Sequence, residues 1–290
     1  MSAKILDGKA LAASRQREEL RDLRKKIHRK PCLAIITASD DPASDIYIRN
    51  KQRACGENRI DCLVIKKNYT YEEIRNGDAQ HDLKRAIGKL NEAESVTAIM
   101  VQLPLPNGLN EQEIVNYISP SKDVDGLTDI NMAHLIRCFP YKIIMPCTPK
   151  GIIQLFYSAN IDFSKKEAVI VGRSDIVGKP IAMMLMHYDC TVTICHSYTA
   201  NLAQHTRNAD ILIVAAGHPG LITKDMVKPG AVVVDVGINR VDGKIVGDVA
   251  PDVAEVAGYI TPVPGGVGPM TVSCLEENVL DIAREKERWG

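Results

Sequence analysis

Short runs of consecutive apolar residues recur along the chain. Each is followed by a stretch in which apolar positions return every three to four residues. The first kind reads as a strand buried on both faces and the second as an amphipathic helix, so their alternation predicts a parallel sheet flanked by helices. Cys32 to Thr37 (CLAIIT), Cys62 to Lys66 and Val96 to Gln102 (VTAIMVQ) are the strands of a first series. Asp41 as N-cap and Pro42 as first helical residue open a helix that runs to about Glu57. Glu72 to Glu92 is mostly helical, Leu103-Pro104-Leu105-Pro106 stops the third strand, and Asn110 to Ile118 is a short helix. Asp123 to Pro149 is irregular, with Pro140, Pro146 and Pro149 as breakers, and the domain boundary falls there.

Thr148 as N-cap and Pro149 behind it open a helix through about Ala159, and a second series follows. Ala168 to Val171, Thr191 to Cys195, Ile211 to Ala215 and Val232 to Val236 read as strands, with a helix from Val177 to Tyr188. Pro262 to Pro269 is a Pro/Gly loop. The last helix runs from about Met270 to Lys286, with Val272, Leu275, Val279 and Ile282 on one stripe. There is no internal repeat and no low-complexity segment.

Composition narrows the classes of function. The 290 residues are enough for about two domains with cores of their own. Lys plus Arg and Asp plus Glu are equal at 36 each, so no global field attracts nucleic acid or an anionic membrane. One Trp, nine Tyr and three Phe leave little for base stacking. No apolar run approaches the roughly 18 residues of a membrane span, and the start of the chain, with Lys4, Asp7 and Lys9, lacks the apolar core of a signal peptide. The eight cysteines contain no Cys-x-x-Cys, which reads as reduced thiols in a cytoplasmic protein. His187, Cys190, Cys195 and His196 lie close in sequence, but strand alternation sends Cys190 and Cys195 to opposite faces, so no metal site is expected. There is no His-Glu-x-x-His, Gly-x-Ser-x-Gly or Walker loop, which leaves metalloprotease, serine hydrolase and kinase chemistry without a foothold.

Several segments carry chemistry. In Val169-Ile170-Val171-Gly172-Arg173-Ser174-Asp175-Ile176-Val177-Gly178-Lys179-Pro180 a strand ends in glycine, turns and opens a helix, as in dinucleotide-binding folds. Ser174 replaces the second glycine of Gly-x-Gly-x-x-Gly, and the last shifts to Gly178. The next strand ends in Cys195-His196-Ser197 with no carboxylate for a ribose hydroxyl, whereas Arg173 and Ser197 offer a cation and a donor, so NADP is expected over NAD. Ser44, Tyr47 and Lys51, at spacings of three and four, share one helix face, and a partly desolvated lysine there suits proton transfer; spacing alone fits a solvated pair as well. Gln102 falls at the end of a parallel strand, where α/β ligands bind. In Lys122-Asp123-Val124-Asp125-Gly126 the paired acids are either functional or turn formers. Thr261-Pro262-Val263-Pro264-Gly265-Gly266-Val267-Gly268-Pro269-Met270-Thr271 is rigid in places and, at its glycines, able to approach a ligand closely.

Together the Ser44/Tyr47/Lys51 face, VQLPLP, KDVDG, PCTPKG, VGRSDIVGKP, GDVA and TPVPGGVGPMT, in this order, resemble the bifunctional methylenetetrahydrofolate dehydrogenase/methenyltetrahydrofolate cyclohydrolase family in its compact two-domain form. The resemblance runs from about residue 4 to residue 282. It implies two αβ domains with a cleft between them: a folate-binding catalytic domain of residues 1–146 plus 271–290, and a Rossmann-like NADP-binding domain of residues 147–270. It implies oxidation of 5,10-methylenetetrahydrofolate with NADP, then hydrolysis to 10-formyltetrahydrofolate, with tetrahydrofolate derivatives as the partners, a homodimer, and neither nucleic acid nor membrane. Lys51 is then the central catalytic group, with Tyr47, Gln102 and Asp125 beside it. Ser44, Tyr47, Val101, Leu103, Asp125, Pro264, Gly265 and Gly266 meet the folate. Thr148, Gly172, Arg173, Ser174, Ile176, Ser197, Ala215, Gly217 and Ile238 meet the cofactor.

Some positions depart from the family's habit: Ser39 and Ala133 stand where glycine is usual, Asp129 where bacterial members often have proline, and Arg53 where lysine is usual. A member with dehydrogenase activity alone is disfavoured by intact Lys51, Gln102 and Asp125. An enzyme of the shikimate dehydrogenase type leaves the PGGVGPMT loop unexplained. A non-catalytic folate- or dinucleotide-binding protein would produce no NADPH from methylenetetrahydrofolate.

Overall fold

The computed structural model of the chain describes residues 2–39, 42–138 and 144–289, so the expected N-cap Asp41 and the breaker Pro140 lie outside the described residues. The first elements are β1 (Lys4–Ile5), α1 (Gly8–Arg17), α2 (Glu19–Lys25), β2 (Cys32–Thr37), α3 (Pro42–Glu57) and β3 (Asp61–Lys66). Then come α4 (Tyr71–Arg75), α5 (Asp78–Glu92), β4 (Ala98–Val101), α6 (Glu111–Val115), α7 (Asp129–Cys138) and α8 (Cys147–Ser158). The rest are β5 (Glu167–Val171), α9 (Gly178–His187), β6 (Thr191–Cys195), α10 (Leu202–Thr206), β7 (Ile211–Val214), β8 (Val232–Asp235), β9 (Asn239–Val241), β10 (Lys244–Val246), β11 (Tyr259–Ile260) and α11 (Val267–Trp289). They form two units: Arg15–Met145 with Leu275–Gly290, and Met1–Ser14 with Pro146–Cys274.

The first of these units holds a three-stranded parallel sheet in the order β3-β2-β4. Central β2 is apolar from Cys32 to Ile36 because both faces are covered, and Leu33, Ala34, Ile35 and Ile36 are all buried. Helix α5 packs Leu83 and Ile87 against Ala34, Ile36, Ile99 and Val101, each large aliphatic side chain contributing about 1.5–3 kcal/mol by leaving water. The helix expected from Glu72 to Glu92 is split in two: a Thr70/Glu73 capping box starts α4, and Gly77 at φ +89° turns the chain into α5. Helix α7 was not expected, because the prolines around it masked a start set by polar groups. The Thr128 and Asp123 side chains hold its first turn, and Leu135 is buried. The chain enters the sheet at β2, steps out to β3 and crosses back to β4, which puts the topological switch point at the ends of β2 and β4.

The other unit holds a six-stranded, all-parallel sheet in the order β1-β11-β8-β7-β5-β6. Val169, Val171, Leu212, Val214 and Val233 form its core. After the edge strand β1, the chain returns to this sheet at β5, steps out to β6 and crosses back to β7, so the switch point lies between β5 and β7. The sequence reading placed residues 1–14 with the other domain. In the structure they belong here, because β1 pairs with β11 and the amides of Ala3, Leu6 and Lys9 donate to the carbonyls of Ala254, Ile260 and Gly265. Helix α8 begins at Cys147, so Thr148 is inside its first turn and not the N-cap; Thr148 Oγ1 lies 3.0 Å from Thr271 Oγ1. Helix α11 starts at Val267, ahead of the expected Met270, since Pro269 falls in the first turn, where its missing N–H costs nothing.

Candidate functional site

Some of the residues that the sequence analysis singled out lie at the switch point of their own unit. Beside β2 and β4, α3 carries Lys51 inward, where it is only 9% exposed, and the backbone N–H of Gln102 donates to the Ile36 carbonyl, fixing Gln102 at the end of β4. Lys51 Nζ donates to Gln102 Oε1 at 2.9 Å. The other half of the Gln102 amide, Nε2, donates to the Leu103 carbonyl at 2.8 Å, so the carbonyl end is the one left for the lysine. A neutral carbonyl accepts from an amine and from an ammonium alike, which orients Lys51 without fixing its charge as a carboxylate would.

Ser44 is buried on the same face and reaches Ser39 Oγ at 3.4 Å instead of Lys51; Tyr47, between them, is half-buried and engaged. Val101 is buried and Leu103 half-buried. Spacing had not foreseen the other neighbours of Lys51. Met100 Sδ lies 3.7 Å from its Nζ. The Cys55 thiol, one turn further along α3, donates to Cys62 on β3. That bond, helped by the Lys51 charge, holds Cys62 below the usual thiol range, while the same bond and burial push Cys55 up.

The structure separates the two acids of KDVDG. Asp123 is the turn former: its carboxylate accepts from Gly126 N at 3.0 Å, Thr128 N at 2.8 Å and Asn131 Nδ2 at 2.9 Å. The segment runs parallel to β4, bridging Asp123 to Ile99, and delivers the half-buried Asp125 beyond it. Asn278 on α11 donates to the carbonyls of Val124 and Met145, both at 2.9 Å, and pins this loop. Among the departures from the family pattern, Asp129 opens α7 and accepts from Gln112 and Asn116, both at 2.7 Å, and Ala133 is exposed on that helix.

At the other switch point the strand-turn-helix geometry is steric. Gly172 has φ +132°, and a Cβ on it would lie 2.2 Å from the Ala215 carbonyl oxygen. A Cβ on Gly178 would lie 2.3 Å from the Gly172 oxygen. Only glycines let the end of β5, the loop after β7 and the first turn of α9 come this close, which is the cradle a pyrophosphate requires. Ser174 Oγ accepts from Val177 N at 3.2 Å and Gly178 N at 3.4 Å and so ties the turn to the start of α9. Arg173 is exposed, its guanidinium 5.8 Å from the ring centroid of Tyr198, a neighbour that sequence reading missed; Ser197 is exposed beside it and no carboxylate lies at the end of β6. Ile176 and Ile238 are exposed apolar side chains, and Ala215 and Gly217 flank the start of the loop after β7. This donor set fits a phosphorylated dinucleotide.

The Pro/Gly loop belongs to the same unit. Gly265 has φ +112°, Gly266 N donates to the Pro262 carbonyl at 2.8 Å, Pro264 is exposed and follows a cis peptide bond, and a Cβ on Gly8 would lie 1.8 Å from the Gly266 oxygen. Among the described residues no group of three or more His, Cys, Asp or Glu side chains could hold a metal ion.

Two family models match this chain: "Tetrahydrofolate dehydrogenase/cyclohydrolase, catalytic domain" over residues 6–125 and "Tetrahydrofolate dehydrogenase/cyclohydrolase, NAD(P)-binding domain" over residues 146–287. The "Bifunctional protein FolD" of Methanospirillum hungatei JF-1 is 48% identical over 283 residues, covering 97% of this chain and 98% of that protein. The crystal structure of the bifunctional methylenetetrahydrofolate dehydrogenase/cyclohydrolase from Campylobacter jejuni superposes with a TM-score of 0.90 at 44% identity, covering 98% of this chain and 100% of that one. The Trypanosoma brucei dehydrogenase-cyclohydrolase, complexed with NADP cofactor and inhibitor, gives a TM-score of 0.91 at 35% identity, covering 99% of each chain.

Proposed function

The chain belongs to the tetrahydrofolate dehydrogenase/cyclohydrolase family, and we propose that Lys51 is the group on which its hydrolytic chemistry turns. The protein is a bifunctional enzyme: it oxidises 5,10-methylenetetrahydrofolate to 5,10-methenyltetrahydrofolate and hydrolyses that product to 10-formyltetrahydrofolate. The observation that carries the role of Lys51 is the 2.9 Å bond from its buried Nζ to Gln102 Oε1 at the end of a parallel strand.

NADP+, when bound, accepts the hydride that leaves the methylene carbon. Gly172 and Gly178 would admit its pyrophosphate, Thr148, Ser174, Ile176, Ala215, Gly217 and Ile238 would line it, and Arg173 with Ser197 would hold the 2′-phosphate. Loss of hydride leaves a cation shared by two nitrogens, so that step needs placement of the carbon and no acid from the protein. Hydration does need proton traffic. As the C–O bond forms, the water loses a proton, which the Lys51 amine takes. As the C–N bond to the pterin-side nitrogen breaks, that nitrogen gains one, which the Lys51 ammonium returns. The hydroxyl proton of the adduct leaves to solvent, so one proton is released per turnover. Asp125 would bind the pterin edge, Tyr47 would lie along it, Ser44, Val101 and Leu103 would shape the pocket, and Pro264, Gly265 and Gly266 would cover the folate.

The enzyme is read as a cytoplasmic homodimer joined through its dinucleotide-binding unit. The apolar edge of β6, where Val192 and Ile194 stay half-exposed, supports that contact. Cys32, Cys55, Cys62, Cys147, Cys190, Cys195 and Cys274 are free thiols, and among the described residues no helix is long and apolar enough to cross a membrane. Lys51→Met tests the central role: methenyl absorbance should no longer decay above the uncatalysed rate, and undiminished decay would remove Lys51 from the reaction.

A further inference from the structure

The GDVA segment stood out in the sequence without acquiring a task, and the structure places its aspartate under the loops of the dinucleotide site. After β8 ends at Asp235, the chain runs through Val236-Gly237-Ile238 into the hairpin β9–β10, which turns at Asp242 (φ +50°) and Gly243 (φ +76°). Positive φ at both turn residues is the two-residue turn that returns a chain directly on itself. The return brings Gly247-Asp248-Val249 back to the end of β8. There Asp235 accepts from the amides of Gly237, Asp248 and Val249 at 3.1, 2.9 and 3.0 Å.

Asp248, 0% exposed, then faces the loop after β7. Its Oδ2 accepts from Ala216 N at 2.7 Å and Gly217 N at 2.9 Å, and its Oδ1 accepts from Asn239 Nδ2 at 2.8 Å. The flanking glycines exist for these carboxylates: a Cβ on Gly237 would lie 2.2 Å from the Asp248 carboxyl, and one on Gly247 would lie 1.8 Å from Asp235 Oδ2. Two buried carboxylates at one spot are costly to hold unless donors meet them. Here donors from the loop after β7 and from the start of β9 converge on Asp248, so its carboxylate fixes where those two segments sit.

We propose that Asp248, itself held by Asp235, is a positioning residue for the dinucleotide: by taking Ala216 N, Gly217 N and Asn239 Nδ2 it sets the surface that Ala215, Gly217 and Ile238 present. This rests on the assignment of those residues to NADP+. The contacts come from the ends of β7 and β8, whereas Arg173 follows β5 and Ser197 follows β6, so the grip concerns the part of the ligand that NAD+ and NADP+ share.

Calorimetric titration of NADP+ and NAD+ into the full chain, well below the melting temperature of each variant, reads affinity and stoichiometry separately. Asp248→Ala should weaken both nucleotides at least fivefold and by the same factor, at unchanged stoichiometry. Asp248→Asn keeps an acceptor for the two amides, and the Asn239 carboxamide can turn to meet the new N–H, so it should recover most of the affinity. A carboxylate that only held the fold together would lower melting temperature and stoichiometry while the competent molecules bound as tightly as before. That result, or a change below fivefold for Asp248→Ala, overturns the proposal. Should Asp248→Ala not melt cooperatively, Asn239→Ala replaces it, with a twofold loss of affinity as the dividing line. A wild-type chain that bound neither nucleotide would instead refute the dinucleotide assignment on which the proposal rests.

Discussion

Gln102 shows how one side chain can direct another without deciding its charge. Its amide nitrogen is committed to the Leu103 carbonyl, so its oxygen is the atom offered to Lys51. Replacing that neutral acceptor by a carboxylate of the same length would favour the ammonium form. Gln102→Glu should therefore slow methenyl hydrolysis by tenfold or more at neutral pH and shift the rising limb of its pH–rate profile to higher pH; an unmoved profile would show that Gln102 only shapes the pocket. Arg173 offers a second separation. With Tyr198 beside it and no acid at the end of β6, Arg173→Ala should raise the NADP+ KM at least tenfold and leave that for NAD+ within twofold, and equal losses for both would dismiss the 2′-phosphate contact. The residues with a fixed offset along one element, Ser44, Tyr47 and Lys51 on one helix and Arg173 after one strand, were legible in the sequence because local geometry alone aligns them. Met100, Cys62 and Tyr198 were not, since each reaches the site from another element and only the assembled sheet brings it there. Asp123 and Asp125 stood as equals until the hydrogen bonds of one turn claimed the first.

At the scale of elements, the glycines of the dinucleotide turn set how closely α9 approaches the end of β5. A Cβ on Gly178 would meet backbone atoms, the Gly172 oxygen at 2.3 Å and the Arg173 Cα at 2.9 Å, and backbone has nowhere to go. Gly178→Ala should cost about 1–3 kcal/mol, as overpacking does, and raise the NADP+ KM as the helix end moves away. Gly56, also in a helix, has nothing within 4 Å of the same added carbon. Gly56→Ala should stabilise by about 0.5–1 kcal/mol through the chain entropy it removes. Opposite signs from one substitution are read by thermal melting, and a shared sign would refute the steric account. The elements themselves were legible in proportion to their burial. Strand β2 could be read because covering both faces demands an unbroken apolar run. Strands β1 and β11, two residues each, are too short to show any period. Helix α7 starts on polar capping contacts that hydrophobic spacing does not register. The β9–β10 hairpin did have a sign, Asp242-Gly243 as a two-residue turn pair, and it is the element that delivers Asp248.

For the whole molecule, each unit buries one carboxyl that burial drives upward, and together they set a pH dependence. Asp235 is pushed up to about 6 in one unit and Glu276 to about 7 in the other, where Gln16 Nε2 and Asn58 Nδ2 meet its oxygen at 3.3 and 3.2 Å. Both hold a proton in the folded protein at pH values where the unfolded chain, with ordinary carboxyls, has released it. The folded state therefore binds more protons between about pH 4 and pH 7. Their stabilising contribution is complete below that window and is lost as pH rises through it. A tenfold change in proton affinity corresponds to about 1.4 kcal/mol, so each group weighs on the order of 3 kcal/mol. Asp82 works the other way: the hydrogen bond from Lys67 holds it at about 2, so its contribution is present above the ordinary aspartate range and is lost progressively as pH falls from that range through about 2. The opposed signs place maximum stability near pH 4–5, and melting temperature should fall steadily from pH 5 to pH 7. Glu276→Gln keeps an acceptor for Gln16 and Asn58 but cannot ionise, so it should flatten the slope above pH 5 by about half while Asp235 supplies the remainder. Calorimetric melting across that range decides: a wild-type profile that is level or rising from pH 5 to 7, or a Glu276→Gln slope equal to that of the wild type, would mean that the two buried acids do not govern the balance.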